Sequence, residues 1–212
     1  MDRFRKRPLS IYKPESDSKR YKPEKKIILP IFESSGLLEL DSNSKKGIQL
    51  KHTEPSDAES LKSFWEKKNV HARNRSIHQL IVYKKGAKIP VKVYDLSEES
   101  SYLIGRSLGR SLNQDEDNEE GGEPKEVVIA DIGIPEETCS KQHCVIQFRN
   151  VNDSIKAYLL DLDSSNGTEL NGSLIPSARY VELRSGDVIT LSEVVEDTDY
   201  ELIFVNDWLF FI

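Results

Sequence analysis

Short apolar runs with a period of two extend from about residue 77 to residue 206, and turn-forming residues separate most of them. Successive side chains of a strand point to opposite faces of a sheet, so this period is typical of strands that bury one face. Many short strands with turns between them predict an antiparallel β-sandwich. The predicted strands are residues 77–83, 91–95, 102–104, 127–130, 145–148, 157–161, 179–183, 188–191 and 200–205.

Two segments of this half of the chain have patterns of their own. Residues 113–126 contain seven Asp/Glu against one Lys, which predicts a solvated acidic insert between strands. Residues 207–212 form an apolar C-terminal tail, which we expect to pack on the domain. If the tail were instead exposed, its apolar surface would mark a contact site.

A helix is predicted just before the sandwich, within a segment of residues 54–76. Ser56 and Glu59 fit a capping box, in which each side chain satisfies a backbone amide of the first turn. Apolar residues then recur at helical spacing at Ala58, Leu61, Phe64 and Trp65. We expect a helix over residues 56–70 that lies against the following domain.

The first 26 residues differ in charge from the rest of the chain. They carry ten Lys/Arg and four Asp/Glu, which gives a net charge of +6. Because the whole chain has a net charge of −6, the other 186 residues carry a net charge of −12. The acidic body is therefore a poor candidate for binding bulk nucleic acid. The tail has no apolar period and is predicted to be disordered. Its basic clusters at residues 5–7 and 19–20 match a bipartite nuclear import signal, with a generic tail that contacts RNA phosphates as the alternative.

Residues 27–53 contain apolar patches in a frame rich in Ser, Asn and Lys. The patches are too short to form a core, and such segments commonly order on a partner. We therefore predict a docking segment, with an extra strand folded back onto the sandwich as the alternative. Its expected contact residues are Ile28, Leu29, Phe32, Leu37, Leu38 and Leu40.

Small polar residues stand at the ends of several predicted strands, which is how loops at one rim of a sandwich present a site. Arg106 offers a planar fork of donors that matches two phosphate oxygens. Ser140 and Ser165 add hydroxyl donors, and Lys141 adds a second positive charge. Asn166, on an Asn-Gly turn, is suited to bond the main chain of an extended peptide. These residues predict a binding site for a phosphorylated side chain.

The same residues argue against an enzyme. His143 lacks a nucleophile and an orienting carboxylate at suitable spacing, so we interpret it as a buried neutral ring that holds its own loop. Cys139 and Cys144 have no partners at zinc-binding spacing and are expected to be reduced thiols. No apolar run approaches the length of a membrane span. We expect no catalytic residue, metal, cofactor or membrane partner.

The order Gly105-Arg106, Ser-x-x-His at residues 140–143, Asn-Gly-Thr at 166–168 and Asn171-Gly172 resembles the forkhead-associated (FHA) domain, a reader of phosphothreonine peptides. The resemblance covers about residues 77–206 and implies an FHA-type antiparallel sandwich of about 11 strands. It implies that Arg106 and Ser140 hold the phosphate, that Ser165 helps, and that Asn166 clamps the peptide main chain. The loops would be shaped by Gly105, His143, Gly167, Thr168 and Asn171.

Longer stretches, such as residues 36–52, 127–151 and 158–193, resemble the fungal pre-mRNA leakage family and, more distantly, the animal Smad nuclear-interacting family. This resemblance implies a non-enzymatic nuclear subunit of the retention-and-splicing (RES) complex of the spliceosome, which keeps unspliced transcripts in the nucleus. The docking segment would bind a subunit with an RNA-recognition motif, beside a bud-site-selection subunit. Two alternatives stay open: the same assembly with an idle phosphate pocket, or a phosphopeptide adaptor in kinase signalling. Direct contact with RNA and a cytoplasmic pool also stay open.

Overall fold

The computed structural model describes residues 28–29, 43–45, 47–107, 128–192 and 198–208. The predictions for the basic tail, for the acidic insert and for residues 209–212 lie outside these residues. Within them the chain forms one α-helix, α1 (Leu61–Lys67), and a 3-10 turn at Ala72–Asn74. The strands are β1 (Ile28–Leu29), β2 (Ser44–Lys45), β3 (Ile48–Gln49), β4 (Ser76–Lys84), β5 (Lys92–Asp95), β6 (Ser101–Arg106), β7 (Ile132–Ile134), β8 (Cys144–Val151), β9 (Ser154–Asp161), β10 (Glu169–Leu170), β11 (Ser173–Leu174), β12 (Tyr180–Glu182), β13 (Asp187–Thr190) and β14 (Tyr200–Trp208).

The strands build two six-stranded sheets that pack face to face, so the predicted β-sandwich is confirmed. The first sheet has the order β1-β12-β9-β8-β6-β7 and the second the order β11-β10-β13-β14-β4-β5. Pairing is antiparallel except between β6 and β7, which run parallel. Strands β2 and β3 form a separate small hairpin.

Period-two alternation explains the core between the sheets. In the second sheet Leu80 and Val82 of β4 pair with Phe204 and Leu202 of β14, and all four side chains are fully buried. The first sheet contributes residues such as Ile146 to the same core. Because alternate side chains of each strand face inward, one register sets which residues fill the sandwich.

The outer face of the first sheet is covered as well. Val145 of β8 belongs to a second apolar cluster on this face, against which Ile48 and Leu50 pack. The Lys51 amide donates to Gln142 Oε1 at 2.8 Å. Residues 43–45 and 47–59, called the strap below, therefore lie on the sandwich, although residues 43–53 were predicted to belong to the docking segment.

An ion pair anchors the end of the strap. The Arg149 guanidinium of β8 donates two hydrogen bonds of 2.8 Å to the Asp57 carboxylate. Its charged carbon also lies 4.9 Å from the Tyr180 ring and 5.7 Å from the Tyr158 ring. Arg149 is almost fully buried, and the pair and the rings together offset part of its lost hydration, while Nη1 makes no hydrogen bond in the described part of the chain.

The predicted helix start was wrong by four residues, because Ser60 rather than Ser56 is the N-cap. Helix α1 begins after Ser60, whose hydroxyl accepts from the Ser63 amide at 3.2 Å. Ser56 caps nothing, because the next residues pair with β8 instead: the Glu59 amide donates to the Phe148 carbonyl, and Ala58 bridges Arg149. Hydrogen bonds to the sheet therefore determine where the helix begins, rather than the local capping pattern. Leu61 and Trp65 were correctly predicted to pack against the domain.

Two strand predictions also differ from the structure. Residues 128–130 are not a strand; the strand is β7, which follows Asp131. The Asp131 carboxylate accepts from the Leu103 amide at 2.9 Å and so aligns the chain beside β6. The short hairpin of β10 and β11 was missed, although its turn at Asn171-Gly172 was recognised.

We predict that Asp57→Ala lowers the free energy of unfolding by about 2 kcal/mol, because it leaves the buried Arg149 guanidinium unpaired. Urea denaturation of the full chain measures this change. The matched control is Glu98→Ala, which removes an exposed ion pair with Lys62 and should leave stability nearly unchanged. An equal decrease in the free energy of unfolding in both variants would show that the buried pair with Arg149 contributes no more to stability than an exposed ion pair.

Candidate functional site

Three loops of the first sheet meet at one end of adjacent strands. Register places Ile104 of β6 beside Cys144 of β8, and Cys144 beside Asp161 of β9. The end of β6, the start of β8 and the end of β9 therefore lie at the same edge. Arg106 ends β6, Ser140 lies just before β8, and Ser165 follows β9, so antiparallel pairing brings these three residues together.

The contacts among these three residues are direct. The Arg106 amide donates to the Ser140 carbonyl at 2.9 Å. The Ser140 hydroxyl oxygen accepts from the Ser165 amide at 3.1 Å and lies 3.4 Å from the Ser165 hydroxyl. Arg106 and Ser140 are half-buried, whereas Ser165 and the neighbouring Lys141 are exposed. The result is a rim with two hydroxyl groups and two cationic side chains, which is chemistry suited to an oxyanion.

Gly105 allows this close approach. A Cβ atom placed on Gly105 would lie 2.1 Å from the Lys141 carbonyl oxygen, far inside contact distance. Any side chain there would push the loop that carries Ser140 away from β6. The glycine is therefore required by packing rather than by a turn.

His143 connects two of the loops and is fully buried. Its Nδ1 accepts from the Ser140 amide at 3.1 Å, so Nε2 carries the proton and donates to the Gly167 carbonyl at 3.1 Å. Burial lowers the pKa of His143, which keeps the ring neutral at pH 7. The ring thus holds the loop before β8 against the loop after β9.

Asp161 organises the loop after β9, and sequence reasoning missed it. Its buried carboxylate accepts from the Ser164 hydroxyl at 2.6 Å, the Ser164 amide at 3.2 Å and the Thr168 hydroxyl at 2.7 Å. An Asp that ends a strand and is followed three residues later by Ser is typical of a side chain that caps a turn. That spacing was visible in the sequence.

Asn166 is exposed, and its Nδ2 donates to the Thr138 carbonyl at 2.7 Å. This bond joins the loop after β9 to the loop before β8, a role that the sequence did not indicate. In the part of the chain that the structure describes, its Oδ1 has no hydrogen-bond partner. That oxygen can accept from the main chain of a bound peptide.

Asn171 lies in the second sheet, away from the oxyanion residues. It takes a positive φ of 54° in the turn between β10 and β11. Its side chain donates to Asp187 at 2.7 Å and accepts from the Val188 amide at 2.8 Å. Gly167 has a φ of 74°, and a Cβ there would lie 2.7 Å from Leu174, so this hairpin abuts the loop after β9.

The remaining predicted residues divide into two groups. Ile28 and Leu29 form β1, which pairs with Val181 and Tyr180 of β12. This pairing corresponds to the alternative prediction, in which part of the docking segment adds a strand to the sandwich. The predictions for Phe32, Leu37, Leu38 and Leu40 lie outside the described residues.

Among the described residues, no cluster of three or more His, Cys, Asp or Glu could hold a metal ion. Burial raises the pKa of the Cys139 thiol to about 12 and that of Cys144 well above its ordinary value. Both are therefore neutral thiols at pH 7. No helix in the described ranges is long and apolar enough to cross a membrane.

Comparison with known proteins bears on the fold of this domain. The FHA domain family model matches residues 102–192. The chain is 55% identical over 204 residues to pre-mRNA leakage protein 1 of Saccharomyces cerevisiae, covering 95% of this chain and 98% of the relative. It is 32% identical to Smad nuclear-interacting protein 1 of Mus musculus, over 76% of this chain but only 35% of that protein.

Two solved structures have the same fold as this chain. The crystal structure of full-length yeast Pml1p is 54% identical, covers 73% of this chain and 99% of its own, and superposes with a TM-score of 0.64. A second structure, of the yeast Pml1 splicing factor and its integration into the RES complex, is 55% identical with a TM-score of 0.65 and covers 74% of this chain and 97% of its own. The FHA-type sandwich predicted from the motifs is thereby confirmed.

Lowering the pH from 7 to 5 should reduce the free energy of unfolding. Burial lowers the pKa of His52, His143 and His78, the last to about 4. The unfolded chain takes up protons below about pH 6.5 that the folded chain accepts only at lower pH. Stability that is present above this value is therefore lost as the pH falls.

Urea denaturation at pH 7, 6 and 5 measures this loss. His143→Gln removes one of the buried rings, so its curve should be shallower than that of the unmodified chain. His71→Gln, at an exposed position, should leave the slope unchanged. A pH-independent stability would contradict the assignment of three neutral buried rings.

Proposed function

This chain belongs to the pre-mRNA leakage protein 1 family, and we propose that it is a non-enzymatic FHA-domain subunit of a RES complex acting in pre-mRNA splicing and nuclear retention. The yeast relative is described as a splicing factor that integrates into the RES complex. Similarity along 95% of the chain supports the transfer of that role. In this proposal the protein acts in the nucleus, on the spliceosome, beside an RNA-recognition-motif subunit and a bud-site-selection subunit.

The FHA domain in this proposal binds a phosphothreonine peptide of a partner protein. The observation that carries it is the convergence of Arg106, Ser140 and Ser165 at one edge of the first sheet. A phosphate monoester bears about −1.5 to −2 charges at pH 7, so a guanidinium and two hydroxyl groups distinguish it from a free hydroxyl. Asn166 Oδ1 would then hold the peptide main chain.

The loop geometry supports binding with little rearrangement. His143 and Asp161 tie the loops from within, and the Asn166–Thr138 hydrogen bond ties them at the surface. Loops that are already ordered lose little conformational entropy when a ligand binds. Lys141, exposed beside Ser140, adds attraction for the phosphate that salt would screen.

Arg106→Ala should weaken phosphothreonine-peptide binding by about 2–4 kcal/mol, because a charge-assisted, bidentate contact is lost. A phosphothreonine peptide library screened against the full chain identifies a binding peptide, and fluorescence anisotropy then measures its dissociation constant. Arg73→Ala removes an exposed arginine in the 3-10 turn and is the matched control. An unchanged constant for Arg106→Ala would reject the phosphate assignment. If no phosphopeptide binds the folded chain, the pocket is idle and the protein is a scaffold.

The second part of the proposal is that the N-terminal segment docks on the RNA-recognition-motif subunit. Within residues 27–53, the strap residues lie on the sandwich, and in the described part of the chain β1 has two residue pairs with β12. A two-residue edge strand contributes few backbone hydrogen bonds, so its pairing is weak enough to be exchanged for a partner. The docking residues of the proposal are therefore Ile28, Leu29, Phe32, Leu37, Leu38 and Leu40.

Deletion of residues 27–42 should abolish binding to that subunit while leaving the domain folded. The deletion stops before Asn43, because Ile48, Leu50 and Asp57 of the strap contact the first sheet. A pull-down with the purified subunit measures binding, and a thermal melt verifies the fold. Arg106→Ala in the full chain is the control that should bind normally. Retained binding after the deletion would reject the docking assignment.

A further inference from the structure

Glu169 of β10 is a buried carboxylate without a partner. Its side chain is only 8% exposed, and Oε2 is fully buried with no hydrogen bond. In the described part of the chain, neither of its oxygens has a hydrogen bond or an ion pair. Burying a charge without a partner is costly, so nearly all buried carboxylates are bonded. Glu169 departs from that rule at a position two residues beyond Gly167.

Leu174 of β11 lies directly opposite Glu169. Antiparallel register pairs the two residues, so their side chains share one face of the second sheet. Leu174 is 51% exposed, whereas Leu170 on the other face belongs to the core. An exposed leucine therefore adjoins a buried, unpaired carboxylate.

This pair lies beside the proposed phosphopeptide site. A Cβ on Gly167 would lie 2.7 Å from Leu174 Cδ1, and Gly167 directly follows Asn166. The Ile175 amide donates to the Thr168 carbonyl at 2.9 Å and joins the hairpin to the loop. The Asn171 bonds to Asp187 and Val188 hold the hairpin turn. The pair is thus a rigid extension of the loop that carries Ser165 and Asn166.

A basic peptide side chain matches both members of the pair. Lysine and arginine carry three or four methylene groups below a cationic head. The stem can cover exposed Leu174, and the head can supply the donor and the positive charge that Glu169 lacks. An acidic side chain would be repelled, and a small apolar one would leave Glu169 unpaired.

We propose that Glu169 and Leu174 form a subsite for a basic residue that flanks the phosphothreonine in the bound peptide. This inference rests on the proposed phosphopeptide-binding function and adds a sequence preference to it. An extended peptide advances about 3.3 Å per residue, so the basic residue lies within a few positions of the phosphothreonine. Arg106 and Ser140 would select the phosphate, while Glu169 and Leu174 would select its neighbour.

The test uses the full chain and phosphothreonine peptides of alanine background, in which one lysine is moved through the four positions on each side. Fluorescence anisotropy gives the dissociation constant of each peptide and of its unphosphorylated form. At one position or two adjacent ones, lysine should tighten binding about tenfold over alanine. Glu169→Gln should remove that gain without changing the affinity for the all-alanine phosphopeptide. Leu174→Ala should reduce the gain in part, and Glu169→Lys should transfer it to a glutamate-containing peptide.

Glu201→Gln removes a carboxylate from β14 of the same sheet and is the matched control, which should keep the lysine gain. Thermal melts should show Glu169→Gln about as stable as the unmodified chain, since the substitution keeps the shape of the side chain and removes no hydrogen bond seen in the described residues. If phosphate-dependent binding occurs without a lysine preference, or if Glu169→Gln keeps that preference, the subsite is rejected and the reader function stands. If phosphorylated and unphosphorylated peptides bind alike, both proposals are rejected.

Discussion

The burial of β8 on both faces is the constraint on which the rest of the structure depends. Its inner residues, such as Ile146 and Phe148, fill the sandwich core, and its outer residue Val145 packs in the second cluster with the strap. Pairing with β6 on one side and β9 on the other brings their loops to the start of β8. One strand therefore positions the core, the strap and the three loops of the candidate site. A shift of one residue in its register would exchange its inner and outer faces and disperse the site.

In the candidate site, buried residues position the loops and exposed residues present polar groups at the surface. His143, Asp161 and Thr168 are buried and hydrogen-bond to other residues of these loops, so they set the positions of the loops. Exposed Ser165 and Asn166 then lie at fixed places above them. Holding the loops in this way keeps the short polar side chains close together. The hairpin of Glu169 and Leu174 is attached to this set through the hydrogen bond from the Ile175 amide to the Thr168 carbonyl. In our proposal this attachment joins the preference for a neighbouring residue to phosphate recognition.

Local patterns predicted most elements correctly and failed where long-range contacts compete with them. Ser56 and Glu59 form a plausible capping box, yet Glu59 hydrogen-bonds to β8 and the helix begins after Ser60. Residues 127–130 are as apolar as the strand that follows, but the Asp131 carboxylate accepts from the Leu103 amide, and the strand beside β6 begins only at Ile132. Both errors have one cause: a segment can satisfy its backbone groups locally or across the fold, and the sequence pattern describes only the local choice.

By itself, the sequence determined the β-sandwich, the order of the polar motifs and the chemistry of Arg106, Ser140 and Ser165, because periodicity and residue type are local properties. The tertiary structure decided what depends on distance between residues far apart in the chain. It assigned the tautomer of His143, bonded Asn166 to Thr138 and paired Arg149 with Asp57. It also left Glu169 Oε2 buried without a hydrogen bond in the described part of the chain. Hydrogen bonds and desolvation are set by which groups meet in space, and in a sandwich those groups come from strands widely separated in sequence.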